Sequence, residues 1–102
     1  MEIEIRSAIQ ADEEVVANLA GQLGYPSSVQ DIRERLFQIL IDGDQAVFVA
    51  ESADKQVVGW VHVFKAQRLI VEPFVEIGGL IVSEGQRGSG VGKALIEAAE
   101  AW

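Results

Sequence analysis

Residues 74–93 read F-V-E-I-G-G-L-I-V-S-E-G-Q-R-G-S-G-V-G-K, and this stretch decides the fold. Phe74 to Val82 is an apolar, β-branched run and reads as a strand. A glycine-rich turn follows, Arg87-Gly88-Ser89-Gly90-Val91-Gly92-Lys93. From Gly92 to Trp102, the residues Leu95, Ile96, Ala99 and Trp102 recur at helical spacing. A strand that ends in a glycine turn opening a helix makes an anion site. The first N–H groups of the helix lack intrahelical partners, and the helix dipole leaves partial positive charge there. Glycines keep side chains away from that backbone, and Arg87 and Lys93 add full charges. The competing reading is a plain tight turn whose glycines serve only to supply positive φ.

Working outward, E-I-E-I-R at 2–6 alternates and reads as a short strand over Ile3 to Ile5. Asp12, ahead of Glu13 and Glu14, suits a helix N-terminus as a capping side chain. Val15, Val16, Leu19, Ala20 and Leu23 then follow at helical spacing until Gly24. Ser27 with Gln30 fits a capping box for a second helix. Its stripe is Val29, Ile32, Leu36, Ile39 and Leu40, and Asp42-Gly43-Asp44 closes it. Asp42, Asp44 and Asp54 read as turn formers. The period then changes. A-V-F-V-A at 46–50 is a strand, Ser52 to Lys55 a polar turn, and V-V-G-W-V-H-V-F at 57–64 a second strand of a hairpin. Residues 65–73 are ambiguous: Leu69, Ile70 and Val71 extend a strand, while Pro73 argues for a break. The order is β-α-α-β-β-β-α, an α+β plan with a mostly antiparallel sheet in one domain spanning 1–102.

Composition narrows the function. A chain of 102 residues buries roughly 65% of its unfolded surface, enough for one modest core. Its hydrophobic fraction of 49% argues against disorder. With no cysteine and one histidine, disulfides, thiolate ligands and a cysteine nucleophile are excluded, and no metal is expected. A net charge of −8 argues against nucleic acid, whose phosphates need clustered cations. It permits a cationic amine partner, or merely aids solubility. No apolar run approaches the ~20 residues of a membrane span, so no membrane partner is expected. No basic-then-apolar leader opens the sequence, and a cytoplasmic protein is the expectation.

Other phosphate loops fit poorly. A P-loop pattern ending at Gly92-Lys93 would put its first glycine at Arg87 and its Ser or Thr at Ala94. Gly88, Gly90 and Gly92 are spaced every two residues, unlike G-x-G-x-x-G. What fits is R-x-x-G-x-G, carried by Arg87, Gly90 and Gly92. It resembles motif A of the GNAT superfamily, the GCN5-related N-acetyltransferases. Residues 5–19 are similar to that family's first strand and helix, G-W-V-H-V to its third strand, and 74–95 to its fourth strand and third helix. L-G-Y-P at 23–26 resembles members that act on small molecules.

The resemblance implies an N-acetyltransferase (EC 2.3.1 type) that moves the acetyl group of acetyl-CoA to a primary amine of a small molecule or protein. It implies that Leu80, Ile81 and Val82 pair with the pantetheine arm like an added strand. It also implies that Arg87, Gly88, Ser89, Gly90, Val91, Gly92 and Lys93 grip the pyrophosphate. An ammonium with a pKa near ~10 needs a base at neutral pH. Glu76, a carboxylate inside an apolar strand, is the candidate, and F-V-E-I resembles a segment where several members carry a catalytic glutamate. The alternative is an edge-facing glutamate, salt-bridged to Arg68. Gly78-Gly79 inside a strand points to a bulge or a close backbone approach. The resemblance makes that bulge an opening for the cofactor and a source of amides for the thioester carbonyl. A bulge would flip strand parity, leaving open whether Glu76 and Leu80 share a face. His62 is either a base or a partly buried strand residue. Tyr25 either lines a substrate pocket or packs a turn.

The resemblance also implies elements beyond these: a fifth strand, a fourth helix and two final strands, with a tyrosine acting as acid. The 102 residues therefore read as a partial domain of this kind, lacking those C-terminal strands and helix. A bare edge on the strand from Phe74 to Val82 leads us to expect a homo-oligomer. The alternative function is a CoA-binding or structural half-domain without turnover, active only in a longer chain or an assembled dimer.

Overall fold

The A-V-F-V-A run is apolar without alternation because both of its faces are covered. In the computed structural model, which describes residues 2–102, it lies within β2 (Gln45–Ser52), an inner strand of a four-stranded sheet. The others are β1 (Ile3–Ser7), β3 (Val57–Arg68) and β4 (Val71–Val82). They lie in the order β1-β2-β3-β4, every pair antiparallel. The helices are α1 (Glu13–Gln22), α2 (Val29–Leu40) and α3 (Val91–Ala101). The α+β order expected from the sequence is the order observed.

Successive β2 residues serve two cores. Val47 and Val49 pack with Ala8 and Leu36 on the α2 side. Ala50, with Val61 and Val63 of β3, packs against Val91, Leu95 and Ala99 of α3. These α3 residues are four apart and form one buried stripe. Leu95 is fully buried, worth roughly 1.5–3 kcal/mol by area. Gly59 sets how close α3 can come: a Cβ there would sit 3.0 Å from the Ile81 carbonyl and 3.1 Å from Leu95.

Three local expectations shift. The cap of α2 is Ser28, not Ser27: Ser28 Oγ accepts the Asp31 N–H at 3.0 Å and its carbonyl accepts the Ile32 N–H. Gln30 instead donates to Glu34, one turn along. Asp12 makes no side-chain cap on α1. It closes a 3₁₀ turn over Gln10–Asp12, accepting the Ile9 N–H at 2.8 Å, and turns to Arg6 on β1. Lastly, Pro73 does not break the strand. β3 runs to Arg68, Leu69 and Ile70 turn the chain, and β4 begins at Val71. Ala66 pairs with Phe74 and Arg68 with Val71, so Glu72 and Pro73 together oppose Gln67. A register shift on an edge strand is where a residue without an N–H is tolerated.

Candidate active site

The Gly-Gly pair in β4 is a bulge. His62 pairs with Gly79 and Val63 with Ile77, leaving Gly78 as the extra residue. Parity inverts across it. Glu76 lies opposite Phe64, on the side of the sheet that α2 covers, whereas Leu80 lies opposite Val61 and packs with the α3 core. Glu76 and Leu80 therefore face opposite ways. A regular strand would have put them together, with Glu76 against α3.

Both glycines are required by rings leaning across from β3. A Cβ on Gly78 would lie 2.8 Å from His62 Nδ1 and 3.0 Å from Phe64 Cε1. A Cβ on Gly79 would lie 3.1 Å from two atoms of the Trp60 ring. The bulge thus seats three β3 aromatic or imidazole rings on one face.

On that face α2 and the sheet enclose an apolar cleft of about 720 Å³. Ile32, Leu36 and Ile39 line it from α2, and Val47, Trp60 and His62 from the sheet. Beyond His62 lies a smaller recess of about 500 Å³, with Asp42, Asp44, Gln45, Phe64 and Lys65 around it. His62 forms a wall common to both. Its Nε2 is 2.8 Å from Gln45 Oε1, and burial lowers its pKa from the ordinary histidine value. Gln45 was not visible as a site residue in the sequence, because its pairing depends on β2–β3 register: it stands opposite Phe64, next to the Val47–His62 pair.

Glu76 is half-exposed, and its Oε1 is 3.7 Å from Arg68 Nη2 across the hairpin. That is the ion pair raised as the alternative to catalysis. Arg68 also lies over the Phe74 ring, 5.5 Å from its centroid. Tyr25 is 69% exposed at the α1–α2 turn and is not among the residues that line the cleft.

The glycine loop stands at the end of β4. A 3₁₀ turn, Glu84–Gln86, follows the strand, and Ser89 Oγ donates to the Gln86 carbonyl. Gly88 and Gly90 have φ of 82° and 91°, in the region that favours glycine. Gly90 is the N-cap of α3 and offers no side chain, so the first-turn amides of Val91, Gly92 and Lys93 are uncapped. No protein atom stands within 4 Å of where a Cβ on Gly88 or Gly90 would point. Val91 is buried in the α3 core and anchors the turn. Arg87 and Lys93 are exposed and make no ion pair among the described residues. Leu80 and Val82 face α3, Ile81 is buried, and the outer edge of β4 carries no strand among the described residues.

These residues suit a coenzyme A pyrophosphate. Open backbone, uncapped amides and two cations are the donor set a diphosphate needs, and a strand edge unpaired among the described residues precedes them. Among the described residues no group of three or more His, Asp or Glu could hold a metal. Among them, too, no helix is long and apolar enough to cross a membrane.

An edge strand that bulges and then opens a helix through a glycine loop completes this α+β fold. The sequence model of the acetyltransferase (GNAT) family matches residues 10–102, and the chain belongs to that family. It is 36% identical to an aminoglycoside N(6')-acetyltransferase type 1 of Stenotrophomonas maltophilia, over 96% of this chain and 65% of that protein. The chain thus spans just under two thirds of the length of that relative. Aminoglycoside N-acetyltransferase AAC(6')-Iy, solved with CoA, superimposes with a TM-score of 0.87 at 25% identity, over 99% of this chain and 68% of that one. AAC(6')-Ih from Acinetobacter baumannii reaches a TM-score of 0.88 at 15% identity, over 99% and 71%.

Proposed function

We propose that this chain binds acetyl-CoA and transfers its acetyl group to a primary amine of a polycationic small molecule of the aminoglycoside kind. The uncapped amides of Val91, Gly92 and Lys93, flanked by free Arg87 and Lys93, carry this reading. In it, residues from Arg87 to Lys93, with Gly88, Ser89 and Gly90 between, hold the pyrophosphate. The edge at Leu80, Ile81 and Val82 takes the pantetheine amides. When bound, acetyl-CoA supplies an activated acyl carbon. Glu76, the base candidate of the sequence, lies beside the bulge on the cleft side of the sheet, and in this reading its carboxylate meets the acceptor ammonium. The acceptor class is supported by the S. maltophilia relative and by AAC(6')-Iy, which has been solved with CoA-S-monomethyl-acetylneamine. The net charge of −8 suits a cationic acceptor. The bare β4 edge supports self-association.

Thermal unfolding with and without CoA tests the cofactor half. At a hundredfold excess over Kd, CoA adds about 2.7 kcal/mol of stability. Absence of any rise in Tm with CoA and acetyl-CoA sinks the reading. Thiol release from acetyl-CoA with neamine tests the transfer half. Stabilisation without thiol release identifies a CoA-binding module instead.

A further inference from the structure

His62 has a neighbour in each of two recesses. It stands between the apolar cleft and the acidic recess. Its two ring nitrogens are treated differently. Nε2 lies 2.8 Å from Gln45 Oε1. An amide oxygen only accepts, so Nε2 carries the hydrogen. Nδ1 of the neutral ring is then a bare acceptor. It makes no hydrogen bond and is not sealed from solvent. It points at the Gly78 bulge, where a Cβ would be only 2.8 Å away. Any side chain at that position would crowd the nitrogen.

Glu76 and His62 lie on the same side of the sheet, opposite Phe64 and Gly79 respectively. Their states differ. The Glu76 carboxylate faces the Arg68 guanidinium. Burial disfavours the cation of the His62 ring. The other charged groups around it are Glu34 and Arg35 on α2, Asp42 and Asp44 in the turn before β2, and Lys65 on β3.

We propose that His62 Nδ1 takes the proton from the acceptor ammonium, with Gln45 as the positioning residue that fixes its tautomer, while Glu76 holds the ammonium by charge. This rests on the acetyl-transfer reading above. One ammonium proton passes to Nδ1 and leaves its electron pair on the amine nitrogen. That pair forms the new C–N bond to the acyl carbon. The C–S bond breaks, its pair stays on sulfur, and the second amine proton completes the thiol. The imidazolium returns its proton to solvent.

His62 is the one histidine of the chain, so its ring nitrogens are read by nitrogen-15 NMR without ambiguity. The free protein should show protonated Nε2 and unprotonated Nδ1. Saturating neamine should move the Nδ1 resonance and leave Nε2 in place. Gln45→Leu should give tautomer-averaged shifts. A proton on Nδ1 in the free protein, or an Nδ1 that ignores saturating neamine, overturns the proposal. In acetyl transfer, His62→Ala should lose roughly 10²–10⁴-fold in kcat/KM, with the loss in kcat, while keeping the CoA-induced rise in Tm. A His62→Ala rate within about threefold of the parent also overturns it. Failure of CoA to raise the Tm of the parent strikes the cofactor reading separately, since the neamine titration needs no CoA.

Discussion

Arg6 and Asp12 are joined by two parallel hydrogen bonds, Nη1 to Oδ2 at 2.9 Å and Nη2 to Oδ1 at 3.0 Å. Arg6 Nη2 also reaches Glu51 on β2 at 3.2 Å. The fork therefore ties β1, the turn before α1 and β2 together. Burial pushes the Asp12 carboxyl up, but the Arg6 hydrogen bonds, the Ile9 amide and the Arg6 charge outweigh it and hold it below its ordinary value. A lowered carboxyl stabilises the fold above its unfolded pKa near ~4. That contribution disappears as pH falls through the folded value. Urea midpoints of the parent should drop below pH 5, and those of Asp12→Asn should drop less. Arg6→Ala leaves Asp12 with only the Ile9 amide and Glu51 with only the Lys55 ammonium, and should cost about 2 kcal/mol. Asp12→Ala leaves Arg6 with Glu51 and should cost about 2 kcal/mol.

Gly78→Ala puts a methyl group 2.8 Å from His62 Nδ1. Either the ring or the bulge must shift, at about 1–3 kcal/mol. Chemical denaturation should show that loss, and the His62 nitrogen shifts should change with it. Unaltered stability and unaltered shifts would mean that the bulge is not seated as described.

Gly90→Ala and Gly92→Ala separate backbone demand from ligand access. Gly90 has φ of 91°, so alanine there should cost about 1 kcal/mol without any clash. Gly92 lies in the first turn of α3, and its Cβ would meet Val82 at an ordinary 3.7 Å. Alanine there should hold or raise Tm, by up to about 1 kcal/mol in stability. It should nonetheless weaken CoA, because a methyl group stands beside the amides. Undiminished CoA affinity in Gly92→Ala would move the pyrophosphate elsewhere.

The β3–β4 hairpin exposes Leu69, Ile70, Val71, Phe74, Val75 and Ile77. Sedimentation at micromolar concentration should show a mass above the monomer, and Val75→Lys should return it to one chain. A monomeric parent refutes the edge as a self-association surface.

Much of the fold was legible because it rests on local patterns. The helical stripe at Leu95 and Ala99, the two-faced run at 46–50 and the Gly78-Gly79 interruption each announce themselves within a few residues. Pro73 misled because its tolerance depends on β4 being an edge strand, which no local pattern reveals. Ser27 and Ser28 are both plausible caps, and backbone dihedrals choose between them. The site was less legible. The Glu76–Arg68 pair was foreseen as an option, but Gln45 against His62 needs cross-strand register, and the Arg6–Asp12 fork needs the chain to turn back over six residues.

The Gly78 insertion makes the two ends of β4 independent. Leu80 and Val82 answer to the packing of α3, while across the bulge Glu76, opposite Phe64, answers to the other face of the sheet. Substitutions at Glu76 and at Leu80 therefore meet different neighbours and need not compensate each other. Deleting that one glycine would restore a common parity and put Glu76 on the same face as Leu80.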